Sequence, residues 1–162
     1  MATASKYLAT YLNDHLAGST AGLALCRRAA SENKGTELGA FLTGLSEEIA
    51  DDRRALEEVM DALAVGADRK KVVAARAAEL AGRLKPNGQL LGYSPLSPLV
   101  ELESLKLGIE GKLAMWRVLG QLAAPPALDR ERMAELAARA ERQAADVEAR
   151  RLQVARSALA VA

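Results

Sequence analysis

Eight residues of this chain, Leu38, Leu42, Leu45, Ile49, Asp52, Leu56, Val59 and Leu63, alternate at steps of four and three without a slip. That period puts them all along one side of an α-helix, whereas a strand would bury every second residue. A helix with an unbroken apolar stripe must bury it against something, and the remaining stripes of the chain are helical too. Composition agrees: half of the residues are hydrophobic but only 3% are aromatic. The core is therefore filled by Ala, Leu and Val, and Ala and Leu lead the helix-propensity scale.

A first helix is predicted over 5–32, where Leu8, Leu12, His15, Ser19, Leu23, Cys26 and Ala30 recur at spacings of three and four. Asn33, Lys34 and Gly35 break it, with Gly35 suited to a left-handed C-terminal residue and Thr36 placed to cap the next helix. The second helix spans 36–65 and stops at Gly66 and Asp68. Val72, Val73, Leu80 and Leu84 predict a shorter helix over 69–84. The uncharged run from Pro86 to Pro98, which also holds Asn87, Gly88, Gly92 and Pro95, is a loop.

Ser97 and Pro98 open a helix over 98–122 with Leu102, Leu105, Ile109, Leu113, Trp116 and Leu119 on one face. Pro125 and Pro126 end it, and Asp129 caps a last helix over 129–159 with Met133, Leu136, Ala140, Ala144, Val147 and Val154 inward. The small side chains of that stripe predict close approach to its neighbours. Gly18 and Gly22, one turn apart in the first helix, predict the same there.

Short breaks after the first and third long helices dictate two antiparallel hairpins, and roughly thirty residues between them are too many for a turn. The chain thus reads as one all-α domain over 1–162, a four-helix bundle of two hairpins joined by a long crossover with a short extra helix. In this plan "LNDHLAG" (12–18) leads into "GAFLTGLSEEIADDRRALEEVMDAL" (39–63), which resembles the first hairpin of the ferritin-like superfamily. The resemblance implies a ferritin-like fold and, in active members, a two-metal site with a Glu from each of two helices and a Glu-x-x-His from each of the others.

The chain departs from that ligand set on every helix. Gly18 and Ser19 stand where the first helix would offer Glu, Glu48 is followed three residues on by Asp51, the third long helix offers Glu103 and Glu110, and Glu141 is followed by Ala144. The pattern needs two imidazoles; the one histidine is His15. A metal site would have to be built of Glu48, Asp51, Asp52, Glu103 and Glu110, with Lys106 repelling the ion. The reading therefore assigns no cofactor, no metal and no catalytic residue.

Folding the first hairpin about Lys34 brings Asp52 opposite His15 and Ser19, which predicts a buried polar pair of His15 with Asp52, joined by Ser19 or a water. An unpaired charge inside a core costs several kcal/mol. The pair is either a contact that fixes register or a small polar site that replaces the metals. Cys26 falls on the inner face as a small core residue.

Charges cancel to +1, with both signs interleaved, which argues against a nucleic-acid surface. One cysteine allows no internal disulfide. The first residues lack a secretory pattern, and the longest uncharged helical stretch, 16–26, is short of the ~20 residues that cross a bilayer. The expectation is a cytoplasmic protein that binds neither nucleic acid nor membrane. Its first expected function is a non-catalytic interaction or oligomerisation module, a homodimer or a partner for another protein through Leu90, Leu91, Tyr93, Leu96 and Leu99. The loop could instead fold back over the bundle. Alternatives are a metal-binding protein or oxidoreductase with an atypical carboxylate site, and a carrier of a small apolar ligand.

Overall fold

The computed structural model describes residues 5–68, 70, 74, 93–122 and 128–160. Among them are four long helices and no strand: α1 (Lys6–Glu32), α2 (Glu37–Ala62), α3 (Ser97–Gln121) and α4 (Arg130–Ala158). Apart from residues 70 and 74, the helix predicted over 69–84 lies outside the described residues, as do Pro125 and Pro126.

Side chains close three of the four N-termini. Ser5 accepts from the Leu8 amide, Thr36 from Gly39 and Asp129 from Glu131, while α3 starts after Leu96 with Pro98 in its first turn. Gly35 takes a φ of 84° between α1 and α2. Gly39 is required for another reason: a Cβ there would stand 2.1 Å from the Asn33 carbonyl oxygen.

The end of α2 departs from expectation. The helix ends at Ala62, short of the predicted stop at Gly66, and Ala64 takes the left-handed conformation with φ of 54°. The Val65 amide reaches back to the Met60 carbonyl at 2.8 Å and the Ala64 amide to Asp61 at 3.0 Å. This is a Schellman closure, and burial of Val65 against the core holds it without glycine.

Asn33 bonds to Tyr93, Arg28 pairs with Glu101 and Arg150 with Glu37, so one end of the bundle gathers the C-termini of α1 and α4 and the N-termini of α2 and α3. Hence α2 and α3 run in the same direction, and the chain leaves α2 at the end opposite to the one at which it enters α3. Helices α1 and α2 pack as one antiparallel hairpin, α3 and α4 as the other, and α1 lies along α3. Leu12, Leu16, Leu42, Leu56, Leu102, Trp116, Met133 and Val147 are among the residues that fill the core between them.

Helix α4 sits tightly on α3 only. It meets α2 chiefly through long polar side chains, with Arg132 on Glu58, Arg139 on Asp52 and Gln143 on Glu48. Small residues at Ala137, Ala140 and Ala144 permit close approach, but the charged rows on the α2 side hold that edge open.

Candidate functional site

The polar centre of the bundle is Asp52, 2% exposed in the middle of the α2 stripe. Its partners are not those expected. Lys112 of α3 and Arg139 of α4 form ion pairs with it, and the Gln143 amide donates to it at 3.2 Å. Gln143 also donates to Glu48 at 2.8 Å and accepts from Lys112. The buried Asp52 thus faces two cations, and the exposed Glu48 joins the network through Gln143. Burial pulls the Lys112 ammonium below its ordinary value, and the Asp52 charge opposes that pull.

His15 makes no bond to Asp52. Its ring stands edge-on against Tyr11, centroids 4.6 Å apart, and Ser19 donates to the Leu16 carbonyl at 2.8 Å. The correction has a physical cause. Lysine and arginine bring full charges on long stems from the other two helices, and a buried carboxylate is better neutralised by these than by a half-buried imidazole whose charged form burial disfavours.

The three expected residues nevertheless border one space. A cavity of about 240 Å³ lies between α1, α2 and α3 and is lined by His15 and Ser19 from α1, Asp52 from α2 and Lys112 from α3. Ile49, Leu56, Leu105, Ile109, Met115 and Trp116 supply its apolar wall. Trp116 is fully buried, and its indole N–H has no hydrogen-bond partner among the described residues. Arg53, on the rim, donates to Thr20 at 3.3 Å.

Gly18 and Gly22 of α1 and Gly108 and Gly111 of α3 border the same cavity. At none of them would an added Cβ meet an atom of a described residue within 4 Å. The expectation that Gly18 and Gly22 admit a tightly packed neighbour is therefore wrong: they face open space.

The other candidates are dispersed. Asp51 pairs with Arg54, Glu103 with Arg151 and Glu110 with Lys106, all on outer faces. Only Glu48 and Asp52 approach each other, through Gln143. Among the described residues no three side chains of metal-binding type converge. Cys26 is buried and its Sγ contacts the Leu42 carbonyl oxygen at 3.4 Å; burial pushes the thiol up to about 12.

Of the expected partner surface, Leu90 and Leu91 lie outside the described residues. Tyr93 donates to Glu101 at 2.5 Å and accepts from Asn33 at 2.9 Å, Leu96 is half-buried and Leu99 is buried. These three fold back over the end of the bundle, because Tyr93 finds a buried carboxylate there. Burial and Glu101 hold the Tyr93 hydroxyl well above its ordinary value.

His15 gives the site a pH dependence. Burial lowers its pKa from the ordinary 6.5, with Asp14 beside it opposing. Asp52 and Arg53 of α2 and Lys112 of α3 border the same cavity. A folded value below the unfolded one means that the unfolded chain binds the proton better, so stability present above 6.5 is lost as pH falls through that value. Thermal melts from about pH 7 down to about pH 5 should show a falling midpoint. His15→Gln should remove that part of the slope, which cannot exceed ~1.4 kcal/mol per pH unit for one proton. An unchanged slope in the variant would refute the assignment.

Lys112, Arg139 and Gln143 are the residues that sequence reasoning missed. The signal was present for two of them: Lys112 sits three residues after Ile109 and four before Trp116, and Gln143 three after Ala140 and four before Val147. Comparison with protein families, with curated proteins and with solved structures finds no match for this chain.

Proposed function

We propose that this chain is a ferritin-like bundle in which a neutral cluster of charged residues takes the place of a metal centre, and that it binds a small, largely apolar molecule without transforming it. The observation that carries this reading is the cavity of about 240 Å³ between α1, α2 and α3, apolar along most of its wall. A cavity lined by apolar side chains stays dry and takes up apolar guests; one of about 150 Å³ is enough for benzene.

The charge balance supports a binding role over a metal-dependent one. Asp52 is already paired with Lys112 and Arg139, and Glu48 is hydrogen-bonded by Gln143, so a dication at Asp52 would have to displace the Lys112 ammonium or the Arg139 guanidinium. Among the described residues the one thiol is not set up for nucleophilic chemistry either. Cys26 is a buried thiol far from its thiolate range, and it does not border the cavity that holds His15.

Benzene tests the reading directly. At a concentration near one hundred times its dissociation constant, a guest held only by the folded state adds ~2.7 kcal/mol, which raises the thermal midpoint by roughly 5 to 10 °C in a chain of this size. Gly111→Leu, which fills the cavity, should melt without that benzene-dependent rise. No shift in the unaltered protein would refute the reading.

A further inference from the structure

Five glycines inside helices have no described atom near their Cβ position, Gly44 on α2 away from the cavity and four that gather around it. Glycine is the poorest helix former after proline, and a mid-helix position keeps one when something must approach the backbone closely. At Gly18, Gly22, Gly108 and Gly111 no described residue does so, since a Cβ at each would meet none of their atoms within 4 Å. All four border the cavity, two on each of the facing helices α1 and α3, and Ser19 and Ser104 add further small residues to these two walls.

The arrangement removes side chains from both sides of a gap while leaving them at its base. Gly18 and Gly108 are exposed and frame the mouth; Gly22 and Gly111 are half-buried. Ile49 and Leu56 of α2 and Trp116 of α3 line the cavity beyond them. A space bounded on two sides by bare helix backbone is a slot, and a slot admits the thickness of a ring more readily than a rounded body. Its volume of about 240 Å³ exceeds the roughly 150 Å³ that suffices for one benzene ring and corresponds to two fused rings.

The wall also carries uncommitted polarity. The Trp116 N–H, buried in the wall, has no hydrogen-bond partner among the described residues, and the His15 ring is held by its edge contact with Tyr11. Lys112 and Asp52, by contrast, already satisfy each other. The charged side chains of the lining, Asp14, Asp52, Arg53 and Lys112, are two of each sign, so a charged guest would meet no net opposite charge, whereas one hydroxyl or carbonyl can be met by an imidazole.

Resting on the reading that the cavity is a ligand site, we infer that its ligand is a flat, uncharged, bicyclic aromatic molecule carrying a single hydroxyl or carbonyl, slotted between the glycine faces of α1 and α3 with its polar group toward His15. The glycines then serve ligand access at the expense of helix stability.

The test uses the full chain, calorimetric titration and two probes matched in carbon count and each bearing one hydroxyl: 2-naphthol, which is flat, and 1-adamantanol, which is globular. The unaltered protein should bind 2-naphthol at least roughly tenfold more tightly than 1-adamantanol. Gly18→Ala and Gly108→Ala should each raise the thermal midpoint by ~2 to 4 °C, because alanine is the better helix former and nothing obstructs it. The pair of changes should weaken 2-naphthol by roughly tenfold or more. His15→Leu should weaken 2-naphthol by about tenfold and leave benzene binding unchanged.

Opposite signs for stability and affinity in the glycine variants distinguish a ligand slot from a general loss of structure. Equal affinity for the two alcohols, undiminished 2-naphthol binding in the glycine variants, or no effect of His15→Leu would overturn the inference while benzene binding keeps the cavity as a ligand site. Failure of 2-naphthol, 1-adamantanol and benzene alike would overturn both.

Discussion

Asp52→Leu is expected to lower folding stability by about 3 to 5 kcal/mol, the largest single effect in the polar centre of the bundle. The carboxylate is 2% exposed and is the shared partner of Lys112 and Arg139, whose side chains are 14% and 28% exposed. Removing it leaves two cations facing each other in a poorly solvated interior, where desolvation is no longer offset by an opposite charge. Glu48 cannot take over both, because it is reached through Gln143 rather than by the cations directly.

Replacing the cluster together, as Asp52→Leu with Lys112→Met and Arg139→Leu, should recover most of the loss. Apolar residues of similar size fill the same space without a desolvation cost. Denaturant unfolding at neutral pH measures both variants. A single variant within ~0.5 kcal/mol of the parent would mean that Asp52 does not hold the two cations in place.

That Asp52 is central was legible in its sequence position, as the one polar tooth in an apolar row from Leu38 to Leu63. Its partners were not, and the reason is geometric. A hairpin register read from the break at Lys34 can say what faces Asp52 across α1, and His15 and Asp52 do border the same cavity. It cannot see α3 and α4, whose phase relative to α2 is fixed only when both hairpins pack.

Lysine and glutamine compound the difficulty. Their long stems let them sit in an apolar row with a polar tip elsewhere, so pattern reading assigns them to solvent. The periodicity places Leu113 and Ala144 inward, and both are half-buried against the core; Lys112 and Gln143, one position before each, turn inward beside them. The helices and the two hairpins were legible because periodicity and breaks are local. The cavity was not, because an absence of side chains looks the same in sequence whether another helix or a ligand fills it.

The same cavity makes Trp116→Ala the sharpest test of how the core and the site are joined. Trp116, the single tryptophan of the chain, is 0% exposed and stands between the core and the cavity wall. Truncation of a buried tryptophan costs about 3 to 5 kcal/mol through lost apolar burial and the void left behind. It should therefore lower the thermal midpoint by roughly 6 to 20 °C.

Here the void has an unusual property: it opens onto a space that already exists. The bundle cannot collapse onto it cheaply, because Gly18, Gly22, Gly108 and Gly111 offer no side chains to move inward. Free indole, which restores the missing ring, should accordingly raise the midpoint of Trp116→Ala by several degrees more than it raises that of the parent protein, an increment of the size that one well-filled site supplies. Equal shifts in the two proteins would show that the ring and the cavity are separate spaces, and a loss below ~1 kcal/mol would show that Trp116 is not part of the packed core.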